Sequence, residues 1–521
     1  MNRRQFLSLT GAGLGSAAFL PIGCGPSTPQ PDGLTLDEYL RSDATDLAQM
    51  IHSGRISPVE AVQLAITQIE KHNGAVNAVV DFHPEAALER AAGMKPEMAA
   101  LWGVPTLLKD LVSYPGMKFT RGSRLFADAM GNEEMNPYVQ RIHESGLIVL
   151  GKTNTPEFGL LGTGESLQLG PCRNPWNLER TAGGSSSGAG AALASRMVPL
   201  AQGSDGGGSI RIPAAMCGVF GLKPTRGRFP DQETPQRGLD ISIRGFLSRS
   251  VRDTAITLAA TERRGINDGA RYPTVGMVQP DPNKMREKGE NGKLKIALSF
   301  GGSRNHQPSD AVRAGVIKVA DTLIELGHTV LEVPFEDTPY SIPMLDEFLI
   351  LWASGASGVV DLTREMHGDK AALEDYLEPW TLQLDELFRS YDNPGKQLED
   401  VIKSLRKSGN ATSLWMEDWD AWLTPVCSDI APPIGYMAPT LDYDTQFERT
   451  TMFAAFTPIH NVAGTPAMSI PAGFHEGLPQ AAQLSAGLGK EDTLLLLAYQ
   501  LEDALNWNEP LPDLIKPPTA A

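Results

Sequence analysis

The chain has 521 residues, of which 41% are hydrophobic and 21% are charged, and these values are ordinary for a folded globular protein. Its 62 acidic residues outnumber its 45 basic residues, which gives a formal net charge of −17 at pH 7. Such a surface repels nucleic-acid phosphates and anionic lipid, and no basic run offsets it, so we exclude nucleic-acid binding.

The N-terminal residues 1–24 have the composition of an export signal. Arg3 and Arg4 precede a mildly apolar run, 6–20, which is rich in glycine and alanine and too short to span a membrane. The pattern predicts a twin-arginine type signal and a periplasmic or envelope location. Cys24 is a candidate for lipid attachment, and such a lipid is the one way in which we expect the protein to be attached to a membrane. The alternative is an ordinary cleaved signal with an incidental cysteine.

The remainder of the chain divides into a tether and one large domain. Residues 25–39 are rich in proline, serine and glycine near their start, which predicts a flexible tether. Helical and strand-like segments alternate through 40–515, which predicts a single α/β domain without internal repeats. The three cysteines of this domain are odd in number and scattered, which favours small buried apolar residues, although one pair could form. They are Cys172, Cys217 and Cys427.

Several segments carry the signals of individual elements. Ser57, Pro58 and Glu60 form a capping box with proline at the first helical position, so a helix is predicted to begin there and to end at Asn73–Gly74. The segment 337–410 is expected to be mostly helical and to wall a substrate pocket. Further apolar patterns predict strands at 147–150, 295–300 and 328–334, and a helix at 311–327.

Two familiar motifs match the sequence but fit their structural contexts poorly. Residues 146–153 match the phosphate-loop pattern, yet their apolar run is typical of a buried strand and the following Pro156 interrupts a helix. Residues 184–188 match G-x-S-x-G, but the preceding segment is polar and turn-forming instead of a strand. We therefore expect neither nucleotide binding nor a nucleophile elbow. We also expect no cofactor and no metal, since no cluster of ligand residues has suitable spacing.

Two glycine-serine tracts and one lysine form a third candidate site. Ser185 and Ser209 lie in different tracts, while Lys109 follows two leucines, where burial would lower its pKa and let it accept a proton. Glycines at 206–208 would allow neighbouring N–H groups to face one developing negative charge. Each feature alone is more often structural, because such tracts are usually loops and such lysines usually reach solvent.

Taken together, these segments resemble the amidase signature family of serine hydrolases. The resemblance is carried by 181–227 and by GVPTLLKDL at 103–111, and it extends from about Leu40 to Trp507. It implies a single large α/β fold in which helices cover both faces of a mixed, twisted central sheet. The segments 173–186, 223–228 and 498–507 look most like the branch that includes 6-aminohexanoate cyclic-dimer hydrolases.

The resemblance also implies roles for individual residues. It assigns Ser209 as the nucleophile, Ser185 as a bridging serine and Lys109 as the base, with a cis peptide bond between Gly184 and Ser185. Where the family commonly has threonine, Ser204 keeps a hydroxyl, so the supporting hydrogen bonds should survive. Asp205 and Arg211 are expected to brace the loop. The backbone N–H groups expected to form the oxyanion hole are those of Gly206, Gly207, Gly208 and Ser209.

The implied activity is hydrolysis of the C–N bond of small linear or cyclic amides through a serine acyl-enzyme. Two alternatives stay open, namely a fatty-acid or aryl amide hydrolase with the same mechanism, and a non-catalytic envelope binding protein with this fold. The expected partner is a small-molecule amide, and nothing in the sequence indicates an oligomer.

Overall fold

The computed structural model describes residues 33–95, 97–230, 239–264 and 292–516. The predicted export signal with Cys24, and the first part of the predicted tether, lie outside the described residues. From Leu34 onward, the described residues form one compact unit.

An eleven-stranded mixed sheet forms the centre of this unit and confirms the predicted α/β class. The strands run in the order β1-β3-β2-β8-β10-β9-β14-β15-β13-β11-β12. Parallel pairs join β2 to β3 and β8, and join β11 to β12 and β13. The strands of this sheet are β1 (Val79–Phe82), β2 (Pro105–Lys109), β3 (Ile148–Thr153), β8 (Leu200–Asp205), β9 (Phe220–Lys223), β10 (Ile243–Ser248), β11 (Lys295–Leu298), β12 (Thr329–Glu332), β13 (Ala421–Pro425), β14 (Ala467–His475) and β15 (Leu478–Ser485). Two separate two-stranded sheets pair β4 (Glu165–Ser166) with β5 (Gly170–Pro171) and β6 (Arg173–Asn174) with β7 (Asn177–Thr181).

Helices flank the sheet. Among those of the described ranges, none combines the length and apolarity needed to cross a bilayer. They are α1 (Leu36–Arg41), α2 (Ala44–His52), α3 (Pro58–Val76), α4 (Pro84–Gly93), α5 (Pro137–Glu144), α6 (Ser187–Ala194), α7 (Arg211–Cys217), α8 (Val251–Thr261), α9 (Asp310–Glu325), α10 (Leu345–His367), α11 (Pro379–Arg389), α12 (Pro394–Trp415), α13 (Tyr443–Phe453), α14 (Pro458–Ala463) and α15 (Glu491–Leu505).

The parallel pairing of β2 with β8 positions the candidate site. Every residue of β2 is buried, as expected for a strand inside a parallel region of a sheet covered by helices. Lys109 is the last residue of β2, and Asp205 is the last residue of β8. Because parallel strands end at the same edge of a sheet, Lys109 and the glycine loop after Asp205 lie at one edge, where open α/β sheets bind ligands.

Helix α3 begins where the sequence predicts and ends later. The Ser57 side chain accepts the Glu60 N–H, and the Glu60 carboxylate accepts the Ser57 N–H, so the capping box is confirmed. The helix continues past the predicted end at Asn73, because the left-handed residue that terminates it is Asn77. The Asn73 side chain instead accepts the N–H groups of the two residues that follow Asn77.

The folded unit also begins earlier than the predicted boundary at residue 40. Thr35 caps helix α1, and the next helix turn carries Tyr39, whose side chain is almost fully buried. The Tyr39 hydroxyl donates to the Met197 carbonyl at 2.9 Å. The last residues of the predicted tether are therefore part of the domain.

Other predicted elements agree with the structure. The predicted strand residues lie in or beside β3, β11 and β12, and the helix predicted at 311–327 corresponds to α9. The segment 337–410 is mostly helical, and α10 lines the cavities described below. Cys172, Cys217 and Cys427 are buried free thiols.

Candidate active site

Lys109 is fully buried at the end of β2. Its Nζ donates to Ser185 Oγ at 2.7 Å, to Ser204 Oγ at 3.2 Å and to the Ser204 carbonyl at 3.4 Å. Burial lowers the pKa of Lys109 to about 7, although the negative charge of Asp205 opposes the shift. A substantial fraction of this amine is therefore neutral near pH 7 and able to accept a proton. The hydrogen bond to Ser204 Oγ also confirms that the serine preserves a supporting contact.

Ser185 lies between this lysine and the cavity. The peptide bond from Gly184 to Ser185 is cis, as the resemblance implies. The Ser185 side chain is almost fully buried. Gly159 packs closely over it with a φ of 71°, and a Cβ on Gly159 would lie 3.0 Å from Ser185 Oγ. A side chain at residue 159 would therefore crowd the hydroxyl that accepts the lysine hydrogen bond.

Ser209 ends the glycine loop between β8 and α7. It is 7% exposed and lines, together with Ser185 and Ser204, a cavity of about 550 Å³. Gly208 has a φ of 129°, and a Cβ on it would lie only 2.3 Å from Thr457 Oγ1. Glycine is therefore required at residue 208 by both backbone conformation and space. Ser185 and Ser209 thus line the same cavity, and Lys109 is hydrogen-bonded to the first of them.

A fully buried ion pair holds the base of this loop. Arg211 donates to both carboxylate oxygens of Asp205 at 2.9 Å, from Nε and from a terminal nitrogen. Burial alone would raise the pKa of Asp205, but the adjacent Arg211 guanidinium holds it well below its ordinary value. The same carboxylate accepts the backbone N–H of Ile210 at 3.2 Å. This geometry supports the predicted bracing role.

The structure narrows the predicted oxyanion hole. The N–H of Gly208 donates to Asp205 Oδ1 at 2.7 Å. It is therefore already engaged in a charge-assisted hydrogen bond to the Asp205 carboxylate. The N–H groups of Gly206, Gly207 and Ser209 remain as candidates, and the expectation for Gly208 is corrected.

Three further residues support the loop, and sequence reasoning assigned none of them a role. Thr457 Oγ1 donates to the Gly207 carbonyl at 2.6 Å, and the Asn461 side chain donates to Asp205 Oδ1 at 2.9 Å. Gln483 accepts from Arg211 at 2.7 Å. Thr457 and Asn461 lie in the stretch FTPIHNVAGTP, which falls inside the part of the chain that resembles the amidase signature family, and this resemblance was the available signal. Their hydrogen bonds join residues that are 250 and 256 positions apart in the chain, so a local sequence pattern could not reveal them.

The rejected motifs have structural roles. The phosphate-loop match coincides with the buried strand β3, and its Lys152 contacts the Asp110 carboxylate at 3.3 Å. Ser186, the central serine of G-x-S-x-G, is fully buried and donates to the Ser204 carbonyl at 3.2 Å. Within the described ranges, no three histidine, cysteine or carboxylate side chains converge where they could hold a metal ion.

Comparison with known proteins agrees with this geometry. The family model described as amidase matches residues 60–495. The chain belongs to the amidase family. It is accordingly an amidase, an enzyme that hydrolyses amide C–N bonds.

Relatives of this amidase cover nearly its whole length. A protein named putative amidase AmiC, from Mycobacterium tuberculosis strain H37Rv, is 38% identical over 474 residues, which are 89% of this chain and 95% of the relative. The 6-aminohexanoate-cyclic-dimer hydrolase of Paenarthrobacter ureafaciens is 32% identical over 507 residues, covering 92% of this chain and 98% of the relative.

The amidase also matches solved structures of the family. A 6-aminohexanoate cyclic dimer hydrolase complexed with substrate superposes with a TM-score of 0.80 and 30% identity, covering 92% of this chain and all of the other. A bacterial aryl acylamidase superposes with a TM-score of 0.76 and 26% identity, covering 92% and 99% of the two chains.

Proposed function

We propose that this amidase acts through Ser209 as nucleophile, Ser185 as proton relay and Lys109 as base. The hydrogen bond of 2.7 Å between Lys109 Nζ and Ser185 Oγ carries the proposal, because it joins a buried amine of lowered pKa to a hydroxyl at the cavity wall. A histidine is unnecessary in this arrangement, since the neutral amine supplies the basicity.

The first half of the reaction forms an acyl-enzyme. Ser209 Oγ attacks the amide carbonyl carbon while its proton passes to Ser185 Oγ, and the Ser185 proton passes to Lys109 Nζ. The oxyanion accepts hydrogen bonds from backbone N–H groups of the glycine loop, with Gly206, Gly207 and Ser209 as the proposed donors. The C–N bond then breaks as Ser185 donates a proton to the leaving nitrogen and recovers one from Lys109.

The second half releases the acid. Water attacks the ester carbon of the acyl-enzyme, and the Ser185–Lys109 relay removes its proton. Collapse of the second tetrahedral intermediate breaks the bond to Ser209 Oγ, which recovers its proton. The sum is one amide and one water converted to one carboxylic acid and one amine.

Small linear or cyclic amides are the proposed substrates. Similarity to the cyclic-dimer hydrolases and a cavity of about 550 Å³ support this class. Aryl amides are a second candidate, because the aryl acylamidase shares the fold over 92% of this chain.

The proposed location is the cell envelope, on the grounds of the twin-arginine sequence and the candidate lipid-attachment residue Cys24. Cell fractionation with an Arg3→Lys, Arg4→Lys control tests that location.

A fluorophosphonate probe tests the nucleophile directly. The probe should label purified wild-type protein at Ser209, as read by peptide mass spectrometry, because an activated serine attacks phosphorus as it attacks carbon. Ser209→Ala should abolish labelling and lower kcat by about 10⁴-fold or more. Ser186→Ala is the matched control, since that serine also lies beside the glycine loop but donates to a carbonyl. Failure of the folded wild type to be labelled would favour a binding protein with this fold.

A further inference from the structure

Two cavities of unequal size meet at Ser209. The larger has a volume of about 550 Å³ and the smaller about 70 Å³. Ser209, Leu160 and Trp352 line both of them. Trp352 is fixed in this shared wall, because its indole N–H donates to the Leu160 carbonyl at 3.2 Å and its ring stacks on Phe348 with centroids 5.5 Å apart.

The two cavities differ in chemistry as well as in size. The smaller carries no charged side chain among its lining residues and is walled mainly by Ile212, Leu349 and Trp380 together with Phe348. The larger is lined by Asp240 and Arg244 in addition to serine hydroxyls. An apolar group is therefore favoured in the smaller cavity, whereas a polar group finds hydrogen-bonding partners in the larger.

The position of Ser185 fixes which half of an amide enters which cavity. Ser185 lines the larger cavity but is absent from the lining of the smaller, whereas Gly207 lines only the smaller. In the proposed reaction Ser185 protonates the leaving nitrogen, so the amine half must lie on the Ser185 side. The acyl half must then extend from Ser209 in the opposite direction.

We propose that the smaller cavity binds the acyl group and the larger cavity binds the amine, so that the enzyme prefers amides of short apolar acids with larger polar amines. This inference rests on the proposed function. A cavity of this size, about 70 Å³, suits a short acyl chain. We expect long-chain fatty amides to be poorer substrates for the same reason.

A set of amides of 4-aminobenzoate tests the preference. N-acetyl, N-butanoyl and N-octanoyl derivatives share one polar amine, and 4-(ethylcarbamoyl)benzoate is the inverted amide with a large polar acid. We expect kcat/KM to be at least about tenfold higher for the acetyl or butanoyl amide than for the octanoyl and the inverted amides. Equal or higher kcat/KM for either of the latter overturns the inference.

Two leucines of α10 provide matched variants. Leu349 lines only the smaller cavity, and Leu351, two residues further on, lines only the larger. Leu349→Ala should shift the preference toward the octanoyl amide by about tenfold, whereas Leu351→Ala should leave the ratio of butanoyl to octanoyl kcat/KM unchanged. An equal shift in both variants contradicts the assignment of the acyl cavity.

Different results would contradict the proposed function and the assignment of the two cavities. If no amide is hydrolysed and Ser209 is not labelled by the fluorophosphonate probe, the proposed function is wrong. If amides are hydrolysed through Ser209 with the opposite acyl preference, only the inference about the two cavities is wrong.

Discussion

Two fully buried lysines on neighbouring strands differ in the charge of the side chains they contact. Lys109 at the end of β2 meets the hydroxyls of Ser185 and Ser204. Lys152 in β3 meets the Asp110 carboxylate at 3.3 Å, and it also donates to two backbone carbonyls, one of them that of Lys118 at 3.2 Å. The same residue type at the same depth is therefore held by a negative charge at one position and by neutral hydroxyls at the other.

This difference explains why only one of the two lysines suits proton transfer. Burial lowers the pKa of both, but at Lys152 the adjacent carboxylate and its hydrogen bond oppose the effect and favour the ammonium form. At Lys109 burial brings the pKa to about 7, with a weaker opposing influence from Asp205. The comparison shows that a buried lysine becomes a base through its partners, and that depth alone is insufficient.

The largest expected effect is the loss of turnover when the base is removed. Lys109→Met should lower kcat by about 10⁴-fold while the protein stays folded, because no other group takes the Ser185 proton. Steady-state kinetics and circular dichroism measure the two properties. Ser204→Ala removes only a supporting hydroxyl and should cost about tenfold. Near-normal turnover in Lys109→Met would remove the relay from the mechanism.

The equivalent change at the other lysine should affect folding. Lys152→Met leaves Asp110 buried without its countercharge and should lower the free energy of unfolding by about 3–5 kcal/mol. Denaturant unfolding measures this loss. The double variant Lys152→Met, Asp110→Leu should recover part of it, since no buried charge then remains unpaired. Wild-type stability in the single variant would mean that the two lysines are not distinguished by their partners.

The pH dependence of activity is expected to be a smaller effect than the two substitutions, but it reports the pKa of Lys109 more directly. Only neutral Lys109 accepts a proton, so kcat/KM should rise with pH through about 7, falling about tenfold per pH unit below that value. With an amide substrate that does not itself titrate in this range, the fall of kcat/KM at acid pH reflects ionisation of the enzyme. An acid limb displaced to pH 9 or above would show that Lys109 keeps the pKa of an ordinary lysine.

Features that depend on neighbouring residues were predictable from sequence. The capping box at Ser57 needs only residues of one turn, and it forms as expected. The apolar pair before Lys109 indicated a desolvated amine, which the complete burial of Lys109 confirms. The end of α3 was misplaced, because Asn73, although a common terminating residue, contributes its side chain to the following turn.

Features that depend on distant segments were not predictable. The support from Thr457 and Asn461 comes from about 250 residues along the chain. The division of the substrate space into two cavities arises where α10 meets the glycine loop, and no periodicity in either segment specifies it.

Local sequence patterns were enough to identify the chemical groups of the site and the order of many strands and helices, because capping, turn and strand preferences act over a few residues. Packing between distant segments sets the different electrostatic surroundings of Lys109 and Lys152 and the shape of the space open to each half of an amide. Desolvation and cavity shape are produced by packing between segments that are far apart in the chain, so they exist only once the sheet and its helices have assembled.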